Sequence, residues 1–233
     1  PRRPRSPLSS SPAASDVYTR PNSTPAVRHF HGYSPDAISI ERNKHWKNPA
    51  GGIVHAMHRH EWGGYQYEIT GRGEDGELTI KGGYQNNRQM GMHTDYRMVE
   101  NIFEELDSPG EWYYNTAERI LYYYPAPDTD ITTALFEVPQ TESLFILRGS
   151  EESPVKFVEI SGLELQHTLY TFMKTDEPLL RSDWAIYRGG AIVAEGTENC
   201  SITDCQVTDI GGNAVFFSNY NRNNRVQGCH ITN

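Results

Sequence analysis

The chain has 233 residues, with 30 acidic against 21 basic side chains, a formal charge of −9 and a mean hydropathy of −0.66. This length can bury a sizeable core in one or two domains. The acidic balance, with no basic run in the body of the chain, argues against a nucleic-acid partner, and no apolar run approaches the ~20 residues of a membrane-spanning helix.

Residues 1–17 come first. They are rich in Pro, Ser and Ala, slightly basic around Pro1-Arg-Arg-Pro-Arg5, and lack the apolar core of a signal peptide. They are expected to be a disordered arm or an expression remnant, with the natural start missing. Residues 18–140 are expected to form an antiparallel, hairpin-rich β segment. There is little periodicity between Tyr18 and Trp46. Tyr65-Gln-Tyr-Glu-Ile-Thr70 then alternates, meets the Gly-rich turn 71–76 and continues into Glu77-Leu-Thr-Ile80, the pattern of a hairpin. Glu111-Trp-Tyr-Tyr114 and Ile120-Leu-Tyr-Tyr-Tyr124, flanking residues 115–119, predict a second. Its tyrosines suit sugar stacking or ordinary cross-strand aromatic pairing.

The run His55-Ala-Met-His58-Arg-His60-Glu61-Trp62 has His-x-x-His and His-x-His spacings. On a strand, His58 and His60 would share a face. It lacks His-Glu-x-x-His, and no carboxylate or Cys partner is placed by motif, so no metal is assigned. His58, His60, Glu61 and Trp62 are expected to bind substrate, with structural hydrogen bonding as the plain alternative. Gln85-Asn-Asn-Arg88 and His93 form a further polar set that would extend the same surface.

Residues 141–233 repeat. Val158-Glu-Ile160-Ser-Gly162-Leu163-Glu-Leu165, Cys200-Ser-Ile202-Thr-Asp204-Cys205-Gln-Val207 and Arg225-Val226-Gln-Gly228-Cys229-His-Ile231 share apolar, x, Gly/Asp, apolar, x, apolar. A second row pairs Ala191-Ile192-Val193 with Ala214-Val215-Phe216. A period of about 22–24 with short strands and turns predicts an all-β chain in which a right-handed parallel β-helix follows the hairpin-rich segment. Leu163, Cys205 and Cys229 are expected in one interior column, Ile160, Ile202 and Val226 in another, and Leu165, Val207 and Ile231 in a third. The three cysteines fit neither a disulfide framework nor a four-ligand zinc site and read as small core residues. The last coil stops unfinished at Asn233, so the natural protein is expected to continue, and the fragment alone is expected to be inactive.

One coil carries an insertion between His167 and Gly189, at the corner shared with Asp209. Stacked coils accept long insertions at turns, where function gathers. Glycoside hydrolysis needs a protonated and an ionised carboxyl group, so Asp209, Asp183 and Asp176 are the expected catalytic residues. Trp184 and Tyr187 are expected to stack on sugars, with Arg181, Arg188 and His167 as further substrate contacts. A local Asp183–Arg181 salt bridge is the structural alternative. Asp204, in register with Gly162 and Gly228, is expected to be a turn residue. No cofactor is implied.

The runs 55–62, 85–88, Val99-Glu-Asn-Ile-Phe-Glu-Glu-Leu-Asp-Ser-Pro-Gly-Glu-Trp112 and Leu121-Tyr-Tyr-Tyr-Pro125 resemble secreted bacterial β-helix carbohydrate-active proteins, in particular glycoside hydrolase family 141. So do Glu177-Pro-Leu-Leu-Arg-Ser-Asp-Trp184, Tyr187-Arg-Gly-Gly190 and Gly211-Gly-Asn-Ala-Val215. The resemblance covers roughly 18–233. It implies a secreted or periplasmic protein that hydrolyses plant cell-wall polysaccharides or oligosaccharides such as xylan or fucose-bearing pectin, with neither nucleic acid nor membrane as partner. Two alternatives stay open: a pectate-lyase-like polysaccharide lyase, which needs a base and commonly calcium, and a non-catalytic glycan-binding module.

Overall fold

The computed structural model describes residues 36–61, 63–83, 91–178 and 185–232, so the arm expected at 1–17 lies outside the described residues. The chain divides into two compact units, Pro1–Phe136 with Pro178–Trp184, and Glu137–Glu177 with Ala185–Asn233. Strands dominate both, and the class is all-β.

In the first unit a single-turn helix, α1 (Ile40–Asn43), is capped by Ser39, whose Oγ accepts the Arg42 N–H at 3.2 Å. β1 (Ile53–His58), β2 (Gly64–Arg72), β3 (Leu78–Gly82) and β4 (Met92–Glu100) form an antiparallel sheet in the order β3-β2-β1-β4. β2 and β3 are the first expected hairpin, with Ile69 opposite Ile80. Trp46, Val54, Ala56, Ile69, Val99 and Ile102 pack as the core. Polar side chains bind the helix to the sheet. Arg72 donates to Asn43 Oδ1 and to the Trp46 carbonyl, both at 2.8 Å. Glu105, in a 3-10 turn (Phe103–Glu105), accepts Arg42 Nε at 3.0 Å and Trp46 Nε1 at 2.7 Å.

β5 (Trp112–Asn115) and β6 (Ile120–Tyr123) are the second expected hairpin. Tyr113 lies opposite Tyr122 with ring centres 6.0 Å apart, and Phe103 sits edge-on to both at 5.3 and 5.1 Å. Cross-strand pairing therefore accounts for these two tyrosines.

The second unit holds three parallel ladders. β7 (Phe145–Arg148), β8 (Val155–Lys156), β9 (Glu159–Ser161) and β10 (Glu164–Gln166) make a first pass. After the short β11 (Glu177–Pro178) and β12 (Ala185–Ile186), β13 (Ile192–Glu198), β14 (Ser201–Thr203) and β15 (Gln206–Thr208) make a second. β16 (Val215–Arg222), β17 (Arg225–Gln227) and β18 (His230–Thr232) make a third. The ladders are β16-β13-β7 with β8 beside β13, β17-β14-β9, and β10-β15-β18, so the chain visits the three ladders in the same order three times. Registers match the expected columns: Ile160↔Ile202↔Val226, Leu165↔Val207↔Ile231, and Ile192↔Val215.

Ile160, Leu165, Ile192, Ile202, Cys205 and Val207 are buried together, since each row is covered only by the row stacked on it. No disulfide joins the three cysteines. The Cys205 thiol donates to the Thr203 carbonyl at 3.3 Å and the Cys229 thiol to the Ile202 carbonyl at 3.6 Å.

The expected Leu163 column needs a correction. Its backbone register holds, with Gln206 N–H to Leu163 O and His230 N–H to Cys205 O both at 2.9 Å. The Leu163 side chain, however, is 41% exposed and outside the core, and so are Val226 at 41% and Ile231 at 52%, which were expected in the other two interior columns. Edge position alone does not decide this, because Leu165 in the adjoining edge strand β10 is buried.

Each pass turns at residues in the left-handed backbone region, five positions apart: 157, 162 and 167, then 199, 204 and 209, then 223 and 228, with φ between 53° and 67°. Asp204 is such a corner, as expected. Between the first and second passes Ile160 and Ile202 are 42 apart; between the second and third, Ile202 and Val226 are 24 apart. The surplus is the insertion after His167.

Candidate functional site

The insertion is anchored at its root by backbone. Leu169 N–H donates to the Thr141 carbonyl at 2.8 Å, Thr171 N–H to the Gly211 carbonyl at 2.7 Å, and Gly211 N–H to Thr168 Oγ1 at 3.0 Å. A Cβ at residue 211 would lie 2.4 Å from the Leu169 carbonyl group, so this close approach requires glycine. On the far side of the insertion, Asp176 N–H donates to the Ile186 carbonyl and Asp176 Oδ2 accepts the Arg188 N–H, each at 2.7 Å.

These anchors gather a charged cluster. The Tyr187 hydroxyl donates to Glu142 Oε2 at 2.7 Å, and Lys174 pairs with Glu142 Oε1. The Lys174 ammonium stands 5.6 Å from the centre of the Tyr187 ring. Arg188 pairs with Glu177 and donates to Ser218 Oγ at 3.2 Å. The tyrosine ring occupies the space a side chain at residue 189 would need, with the built Cβ 2.4 Å from it. Hydrogen bonds from Lys174 and then Tyr187 hold the Glu142 carboxyl below its ordinary range. The same contact with Glu142, followed by desolvation, pushes the Tyr187 phenol up to about 12. At neutral pH the pair is an ionised carboxylate facing a neutral hydroxyl donor.

Of the residues singled out from sequence, Asp176, Tyr187 and Arg188 meet here. Asp183, Trp184 and Arg181 lie outside the described residues, as do Trp62 and residues 85–88. His167 and Asp209 share a corner, joined by His167 N–H to the Asp209 carbonyl at 3.1 Å, with His167 Nε2 3.5 Å from Glu137 Oε2. The expected distinction between Asp209 and Asp204 is not one of backbone: φ is 54° and 53°, a conformation that Asp adopts readily. The cluster brings in Glu142, Lys174 and Glu177, which were not among the expected site residues. A signal for Glu142 exists. Phe145 is in register with Ile192, and three residues back from each are Glu142 and Gly189, the latter two positions from Tyr187.

The histidine run of the first unit is arranged differently from expectation. β1 ends at His58, so His60 lies in the following turn rather than on a shared strand face. His58 is fully buried, edge-on to Tyr65 at 5.5 Å, and its Nδ1 accepts the His60 N–H at 2.9 Å. That bond shapes the turn and removes His58 from the surface expected to contact substrate. His60 and Glu61 are exposed; Glu61 Oε1 is 3.7 Å from His93 Nε2, and His93 stacks on Tyr96 at 4.3 Å. Among the described residues, no three His, Cys, Asp or Glu side chains are grouped so as to hold a metal ion, and no helix is long and apolar enough to cross a membrane.

No family model and no curated protein matches the chain. A solved structure named glycoside hydrolase is similar in fold, with a TM-score of 0.53 at 16% sequence identity, over 70% of this chain and 35% of that one. The chain thus spans about a third of that structure's length and shares with it a fold.

Proposed function

We propose that the three ladders are circuits of a right-handed parallel β-helix and that the chain belongs to a glycoside hydrolase acting outside the cell, secreted or periplasmic. Its substrate is a plant cell-wall type polysaccharide, in the manner of glycoside hydrolase family 141. The observation that carries this reading is the cluster at the root of the insertion. There, carboxylates in contrasting surroundings share one place with a neutral phenol donor and two cations. The fold likeness to a solved glycoside hydrolase supports it.

Hydrolysis of a glycosidic bond requires one carboxyl group that gives a proton and one that is ionised as base or nucleophile. Glu142, kept ionised by Lys174 and Tyr187, suits the second role. Asp176, whose Oδ2 accepts the Arg188 N–H, is the second carboxyl group of the cluster and would serve as the acid once a bound sugar excludes water from it. Asp209 and Asp183 remain proposed alternatives for either role. Tyr187, Arg188 and the expected Trp184 and Arg181 would orient the sugar by stacking and hydrogen bonds.

The test is release of reducing ends from xylan and pectin by the full-length protein. Glu142→Gln and Asp176→Asn are expected to lower turnover by about a hundredfold or more with unchanged thermal unfolding. An unsaturated, ultraviolet-absorbing product would identify a lyase instead. Full turnover in both variants would remove the cluster from the chemistry.

A further inference from the structure

The eight described corner residues of the second unit are Phe157, Gly162, His167, Asn199, Asp204, Asp209, Asn223 and Gly228. Glycine meets no steric penalty in the left-handed region, and Asn, Asp and His enter it more readily than other side chains. Phe157, with φ 59°, is the exception. Its two column neighbours are Asn199 and Asn223, linked by Phe157 N–H to Glu198 O at 3.3 Å and Asn199 N–H to Arg222 O at 3.0 Å. The same backbone bend is thus made twice with asparagine and once with a bulky aromatic. Nor does burial explain the choice, because Phe157 is 77% exposed. A strained aromatic held in solvent, where the fold itself prefers asparagine, points to a use for the ring.

A polar cluster is built on Lys156 and Glu198, the registered pair that immediately precedes Phe157 and Asn199. Lys156 Nζ is 2.8 Å from Glu198 Oε2, and the Tyr220 hydroxyl donates to Glu198 Oε1 at 2.5 Å. Hydrogen bonds from Lys156 and Tyr220 hold the Glu198 carboxyl below its usual range, and Arg222 adds to the same effect. The corner therefore offers one exposed apolar ring beside a fixed set of a phenol, a carboxylate and two cations. Saccharides have that division, with an apolar C–H face and a rim of hydroxyls.

We propose that the Phe157 corner is a saccharide-binding subsite, in which a sugar ring stacks on Phe157 and its hydroxyls engage Lys156, Glu198, Tyr220 and Arg222. This rests on the carbohydrate reading above. The corner follows the C-terminal end of β13, whereas Gly189 and Tyr187 precede its N-terminal end, a span of about 20 Å along the strand. One extended glycan chain can lie along that distance and touch both places.

The experiment measures affinity for soluble xylan and for pectin by gel retardation, together with release of reducing ends and thermal unfolding, for the wild type, Phe157→Asn, Phe157→Trp and Glu142→Gln. Phe157→Asn is expected to raise the unfolding temperature by about 2–4 °C as the corner relaxes. It is also expected to weaken glycan binding about two- to tenfold. Phe157→Trp is expected to keep the affinity. A fall in unfolding temperature for Phe157→Asn would show the ring to be a packing residue and overturn the subsite. Unchanged affinity would overturn it too, while retained binding with lost turnover in Glu142→Gln leaves the hydrolase reading standing. A wild type that retains neither xylan nor pectin overturns the carbohydrate reading and the subsite together.

Discussion

The two units hold themselves together by opposite means. In the first, each tie occurs once: Arg72 reaches Asn43, Glu105 collects Arg42 and Trp46, and Asp36 pairs with Arg97. In the second, one small set of contacts recurs from pass to pass, with like residues stacked in register. Singular ties make each partner indispensable. Repeated ties make position along the stack matter: Ile202 and Val207 in middle strands are buried, whereas Val226 and Ile231 of the last pass, registered with them, are exposed.

The largest effect should come from the middle of the stack. Ile192, fully buried on the central strand of its ladder, should cost about 2–5 kcal/mol as Ile192→Ala. Ile231, 52% exposed on an edge strand, should cost under about 1 kcal/mol as Ile231→Ala. Denaturant unfolding compares them, and equal losses would break the stacking account. Next comes a singular tie of the first unit. Glu105→Ala removes the acceptor of three charge-assisted bonds and should cost about 1.5–3 kcal/mol, with Glu105→Gln recovering part of it.

Gly196→Ala is expected to cost about 2 kcal/mol or more. The φ of 61° disfavours a side chain there, and the built Cβ lies 2.2 Å from the Gly149 carbonyl carbon. Asn219→Gly, in the bulge of the next pass, should be close to neutral; a large loss there would mean the two bulges are not equivalent.

The smallest effect is electrostatic and near the surface. The folded-state phenol of Tyr187 titrates at about 12 against an ordinary 10.0, so its contribution is intact below pH 10 and is lost as pH rises toward 12. The difference in alkaline absorbance between wild type and Tyr187→Phe should show a midpoint near 12; a midpoint near 10 would remove the Glu142 contact.

Repetition is also what made the second unit legible. Ile160, Ile202 and Val226 could be aligned by eye because the pattern reports the stacking directly, and Asp204 was recognisable as a corner because glycine fills its two neighbours in register. Leu163 misled because the pattern gives its backbone position and not the cover over its side chain; Leu165, two residues on in an edge strand, is buried. Glu142 stayed hidden because it precedes the first strand of the stack and reaches Tyr187 across an insertion that breaks the period. Alternation in the first unit revealed both hairpins. It did not reveal the end of β1 at His58 or the pairing of Arg42 with Glu105, 63 positions away, since contacts that occur once leave no periodic trace.

The unequal spacing of the passes, 42 residues against 24, has a consequence for engineering. The surplus hangs between two strands whose positions are already fixed by their neighbours, and the entropy of closing a loop rises only with the logarithm of its length, about 0.6 kcal/mol per doubling. That segment is a replaceable cassette. Its length can change at little cost to the strands beneath, and the same point is where a foreign recognition loop could be grafted while the scaffold stays as it is.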